Sequence, residues 1–103
     1  MDTRIIITTA NLTHDSLDAY DTIRPECWET ERQRYIALAV AAVQAEYPEA
    51  TVETAPGNGL ENCRVYLDGD EPGDTESVER YVELVLEQVY TDWCETVPVE
   101  SAQ

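Results

Sequence analysis

At 103 residues, with 43% apolar side chains, the chain has material for one hydrophobic core and one domain, and the interleaving of acids with Ile, Val, Leu, Tyr and Trp excludes a disordered composition. Twenty-two Asp and Glu face six Arg and no Lys, leaving a net charge of −16. That balance excludes direct binding to nucleic acid or to anionic membranes, both of which need clustered cations.

In chain order, Arg4 to Ala10 (RIIITTA) is a compact β-branched run and reads as a buried strand. Asn11 to Arg24 is polar and mixed, with turn chemistry at Asn11 and Thr13. Pro25 suits the first position of a helix that runs free of Gly and Pro to Tyr47 and is stopped by Pro48. Ile36, Val40, Val43 and Tyr47 recur at helical spacing and form its expected buried face. Thr51 to Ala55 (TVETA) and Cys63 to Asp68 (CRVYLD) alternate around Pro-Gly-Asn-Gly and suggest a hairpin with a long loop. Asp68 to Asp74 (DGDEPGD) is a turn. Asp74 or Thr75 then caps a second helix reaching about Trp93, with Val78, Val82, Val85, Val89 and Trp93 as its buried stripe. The expected fold is α+β, ordered β-α-β-β-α, with a three-stranded sheet carrying two helices on one face. Residues 1–95 form a single acidic domain and residues 96–103 (TVPVESAQ) a flexible tail.

Cys27, Cys63 and Cys94 are an odd set without a CxxC pair, which argues against a disulfide framework. Together with His14 they have no zinc spacing. The N-terminus lacks a basic segment before a long apolar stretch, and no apolar run approaches the length of a membrane span, so a cytoplasmic protein is expected.

The most informative feature is on the second helix. Glu76, Glu79, Glu83 and Glu87 step by three, four and four and stack on the face opposite the valines; Tyr90 continues the same face. From Asp68 to Glu95 there are ten acids against Arg80 alone. Like charges at this spacing repel by about 0.2–0.5 kcal/mol per pair. A solvated helix face accounts for the stripe blandly; a docking surface for a basic groove accounts for it functionally, with Tyr90 as an aromatic anchor. Glu residues four apart advance about 6 Å along a helix, whereas each DNA strand advances about 3.4 Å per phosphate. One helix is therefore about half as dense in charge as one strand. Imitation of DNA requires further acids from the loop (Asp68, Asp70, Glu71, Asp74) or from the Asp18, Asp21, Glu26 and Glu29 cluster.

Two chemistries compete weakly. DGDEPGDTESVE, from Asp68 to Glu79, overlays in part on the calcium loop of EF-hands, but Pro72 removes one ligand and the preceding segment reads as a strand where that motif needs a helix. Cys27, in the first turn of the long helix, and His14 are the nucleophile and base candidates. Glu26 and Glu29 oppose thiolate formation at Cys27, and a single His leaves little from which to build a triad. Neither a catalytic residue nor a cofactor is expected.

In size, absence of Lys and the sequence of strand, long helix, hairpin and acidic helix ending at Trp93, the chain resembles small phage and plasmid proteins. These include anti-CRISPR and anti-restriction inhibitors of the nucleic-acid-mimic class. The resemblance implies a non-enzymatic inhibitor that occupies a basic nucleic-acid-binding surface of a target protein. The expected contacts are Glu76, Glu79, Glu83, Glu87, Tyr90, Asp68, Asp70 and Glu71. The alternative is a small housekeeping or orphan protein of a halophilic or GC-rich organism, its acids serving solubility; Glu outnumbering Asp weighs mildly against that alternative.

Overall fold

The computed structural model describes residues 3–9, 21–57, 63–67 and 75–102. Strand β1 (Thr3–Thr8) is followed by helix α1 (Trp28–Glu46), strands β2 (Thr51–Ala55) and β3 (Cys63–Leu67), and helix α2 (Thr75–Glu95). The order is β-α-β-β-α, and the three strands form one mixed sheet in the order β2-β1-β3. β2 runs parallel to β1, Ile5 opposite Val52; β3 runs antiparallel to it, Ile5 opposite Val65.

The hairpin expected between β2 and β3 is therefore not formed, because β1 lies between them. The reason is hydrophobic. RIIIT is the most apolar strand and gains most from neighbours on both sides, while TVETA, with Thr51, Glu53 and Thr54 exposed, suits an edge.

Pleating divides β1 between two faces, so it is half-buried and not a strand enclosed on both sides. Ile5 and Ile7 point with Cys63 and Val65 into the core, while Arg4 is exposed and Ile6 half-buried on the other face. Each fully buried Ile stabilises the fold by about 1.5–3 kcal/mol. Both helices cover the inner face, α1 against β2 and α2 against β3, and they pack on each other.

Pro25 opens a 3-10 turn, Pro25–Cys27, that leads into α1. The helix stops where the sequence places Pro48, and the amide of Gln44 holds the exit by donating to the carbonyls of Tyr47 and Ala50 at 2.9 and 2.8 Å. Its buried face is turned by one residue from the expected one. Tyr35, Ala39 and Val43 are buried, together with Glu31, whereas Ile36, Val40 and Tyr47 are half-buried at its margin. On α2, Val82, Leu86, Val89 and Trp93 are buried and Val78 and Val85 flank them.

Of the segment 96–103, expected from the sequence to be a flexible tail, Val97, Ser101 and Ala102 contact the rest of the domain, and Gln103 lies outside the described residues. Ala102 bridges Ile23, the Arg24 amide donates to the Ser101 carbonyl at 2.7 Å, and Val97 packs on the core. Ile23, fully buried, was hidden in a stretch that reads as polar.

Gly57 follows β2 with φ 70°, and a Cβ there would meet the Thr8 side chain at 2.8 Å. Gly57→Ala should therefore lower stability by about 2 kcal/mol, half from the left-handed backbone and half from the clash. Urea denaturation should show a lower midpoint at unchanged slope; an unchanged midpoint would mean that the turn yields freely.

Candidate functional site

Helix α2 carries the site that the sequence singles out. Glu76 lies in its first turn, where the positive end of the helix dipole favours a carboxylate, and it pairs with Arg80 at 3.3 Å. Glu76, Glu83 and Glu87 are exposed. Glu79 is half-buried, and its carbonyl accepts the Cys63 thiol at 3.8 Å, which ties this turn of α2 to strand β3.

The stripe is not opposite the valines. At about 100° per residue, the four Glu point on average about 95° around the helix from the buried face. They border the core, which is why Glu79 is partly covered. Tyr90 lies on the same border, half-buried, its ring edge-on to Tyr35 at 6.1 Å and tilted against Trp93 at 5.8 Å. The ring thus braces the end of the stripe from the core side.

Arg80 is paired with Glu76, and four further arginines are committed away from the stripe. Arg4 pairs with Glu53 at 2.7 Å, Arg32 with Glu29 at 3.6 Å, and Arg34 with Glu31 at 2.9 Å, while Arg24 donates to the Ala102 carbonyl at 3.0 Å. Among the described residues Glu79, Glu83 and Glu87 take part in no ion pair. Further along α2, Asp92 accepts from Gln88 at 3.0 Å and Glu95 is exposed, with no basic residue in the last turn. The result is an acidic ridge about three turns long whose carboxylates face water.

Asp68, Asp70, Glu71 and Asp74 lie outside the described residues, as do Asp18 and His14. Asp21, Glu26 and Glu29 are exposed, with Glu29 held by Arg32 and Gln33. The segment entering the calcium-like loop is strand β3, not the helix that an EF-hand requires. Among the described residues no group of three or more His, Cys, Asp or Glu is placed to hold a metal ion.

None of the three cysteines is in a disulfide. Cys27 caps α1 and donates to the Glu100 carbonyl at 3.8 Å. The Cys94 thiol is held above its ordinary pKa chiefly by burial, with the Glu95 charge adding to the rise and hydrogen bonding with Tyr90 pulling the other way. It is therefore a protonated thiol at neutral pH, the opposite of an activated nucleophile.

A second polar cluster, which sequence reasoning missed, surrounds Glu31. Its carboxylate is 1% exposed; it accepts from Arg34 at 2.9 Å and from the Ser101 hydroxyl at 3.1 Å. The Arg34 guanidinium also donates to the Trp93 carbonyl and to Thr96 Oγ1, both at 3.2 Å. It supplies the cation that the C-terminal end of α2 lacks in its own last turn. The Glu31 and Arg34 spacing is visible in the sequence, but its burial depends on the docked segment. This cluster is structural: every polar atom named in it points to a partner inside the chain.

No described helix is long and apolar enough to cross a membrane. No family model matches the chain, and no curated protein or solved structure is significantly similar to it.

Proposed function

We propose that this chain is a non-enzymatic binding protein that uses the acidic ridge of α2 to occupy a basic, nucleic-acid-binding surface of a target protein, and so inhibits that target by competition. The observation that supports this most is the unequal use of charge. Arg4, Arg32, Arg34 and Arg80 neutralise Glu53, Glu29, Glu31 and Glu76, while Glu79, Glu83 and Glu87 stand together without a countercharge. Such a ridge costs the free monomer stability through self-repulsion, and a basic partner removes that cost. Glu83 and Glu87 form its exposed centre, Glu76 and Glu79 extend it, and Tyr90 offers aromatic area at its end.

The test is inhibition of DNA binding by a panel of purified CRISPR effector complexes and restriction enzymes. The wild type should displace DNA from a member of the panel, and Glu83→Lys/Glu87→Lys should lose that activity by a hundredfold or more, on the order of 3 kcal/mol. The variant should be as stable as the wild type or more so, by about 0.5 kcal/mol, because the 79–83 pair changes from repulsion to attraction while the 83–87 pair stays like-charged. An equally inhibitory variant, or acids that merely maintain solubility while binding is spared, would refute the proposal.

A further inference from the structure

The outer surface of the helical pair has an uncharged seam. From Tyr35 to Ala45, α1 carries no Asp, Glu, Lys or Arg, although 27% of the chain is charged. Burial explains only part of that, because Ala37, Leu38, Ala41 and Ala45 are exposed. Arg34, one turn before Leu38, reaches the Trp93 carbonyl and Thr96 at the end of α2, so this row borders α2. On α2, Tyr81 donates its hydroxyl to Glu46 at 3.0 Å and Val85 follows one turn later, so their row borders α1. Leu84 points away from the buried face of α2 and is 57% exposed, while Leu38 and Tyr81 are 38% and 44% exposed.

Glu46 beside Tyr81, and Tyr35 beside Tyr90, fix the antiparallel register of the two helices. Leu38 is then level with Gln88, Ala41 with Val85 and Ala45 with Tyr81, so the seam runs for about two turns, roughly 10 Å. Ala41 and Ala45 leave it low between Leu38, Leu84 and Tyr81.

We infer that this seam receives an amphipathic helix of the target protein, with its apolar stripe between α1 and α2 and its basic flank over Glu83 and Glu87. The inference rests on the docking role proposed for the ridge and adds what the partner presents, a helix with Lys or Arg beside an apolar face. Charge names the occupant. By helical geometry Glu83 and Glu87 lie on the side of Leu84 away from α1, alongside the seam, and among the described residues neither is in an ion pair. Arg80, one turn before Leu84, is neutralised by Glu76 at 3.3 Å. A second copy of this chain would bring two such ridges together, and an anionic membrane would meet the same repulsion. A third helix packs at about 8–10 Å from its neighbours, and apolar residues at i, i+3, i+4 and i+7 would fill the low alanine row. Exposed apolar surface rimmed by polar residues marks sites of this kind.

The probe is a designed helical peptide of about 18 residues, with Leu at helical spacing on one face and Lys along one flank, compared with a shuffled peptide of the same composition. Fluorescence anisotropy at low and high salt reads the binding, and circular dichroism shows that each variant is folded. The patterned peptide should bind the wild type in the micromolar range, about tenfold or more tighter than the shuffled one. Leu38→Gln/Leu84→Gln changes no charge and keeps good helix formers on the surface, and it should weaken binding about tenfold at either salt concentration. Glu83→Lys/Glu87→Lys should weaken binding about as much at low salt and flatten the salt dependence. A Leu38→Gln/Leu84→Gln protein that binds like the wild type overturns the seam and leaves the ridge standing. A charge-reversed variant that binds like the wild type overturns the ridge and, with it, the basic flank inferred for the partner. Equal binding of the two peptides also overturns the inference, as does a wild type that dimerises through the seam and is made monomeric by Leu38→Gln/Leu84→Gln.

Discussion

Trp93→Ala should cost about 4 kcal/mol of stability, the largest single loss expected in this chain. Trp93 is fully buried, edge-on to Tyr35 at 5.1 Å and against Tyr90 at 5.8 Å. Truncating a buried Trp removes both its transfer energy and the contacts around the cavity left behind, about 3–5 kcal/mol in all. The aromatic pairings add about 0.5–1.5 kcal/mol beyond area burial. Tyr35 also donates to the Leu86 carbonyl at 3.5 Å, so loss of its neighbour loosens the junction between α1 and α2. For a domain whose total stability is on the order of 5–15 kcal/mol, the variant should be largely unfolded at moderate urea. Far-ultraviolet circular dichroism through a urea titration measures this; a loss below about 1 kcal/mol would show that the site collapses around the cavity.

Arg34→Ala should cost about 3 kcal/mol for a different reason. The substitution leaves the Glu31 carboxylate buried with only the Ser101 hydroxyl beside it, and breaking a buried pair by removing one partner costs about 3–5 kcal/mol. The Arg34 side chain is itself 28% exposed, which allows water to reach the gap and favours the lower end of that range. It also removes one of the donors to the Trp93 carbonyl and the guanidinium donor to Thr96 Oγ1, so amide exchange over residues 96–102 should accelerate more than exchange in β1. Glu31→Leu/Arg34→Met should recover much of the loss, since no charge is then left buried. If the double variant is no more stable than Arg34→Ala, the cost does not arise from the orphaned carboxylate.

The contrast between these two residues shows what the sequence makes legible. Trp93 closes a valine stripe at helical spacing, and that spacing places it in the core without any tertiary knowledge. Pro25 and Pro48 likewise bracket the first helix by backbone chemistry alone. Glu31 gives no such sign: in WETERQR it looks like one more solvated acid, and its burial follows from Ser101, seventy residues away in sequence. The docked end of the chain was missed for the same reason, because Ile23 and Ala102 meet only in the folded state. Strand pairing failed through locality too. The Pro-Gly-Asn-Gly segment suggests a hairpin, whereas the apolar demand of β1 on both flanks decides the strand order. The acidic ridge was legible as a stripe. Its direction, beside the core and not opposite it, follows from helical geometry and accounts for the partial burial of Glu79 and Tyr90.

The central claim is that the ridge is a docking surface, and the association rate with a target whose DNA binding it blocks tests this most directly as salt is varied. Exposed charges are screened beyond about 8 Å at physiological ionic strength, and steered encounters slow steeply as salt rises. The wild-type rate should therefore fall by about tenfold or more between low and high salt, and the Glu83→Lys/Glu87→Lys rate should be slow and nearly flat at all salt concentrations. A wild-type rate indifferent to salt, or a variant with the same rate and the same slope, would contradict the account.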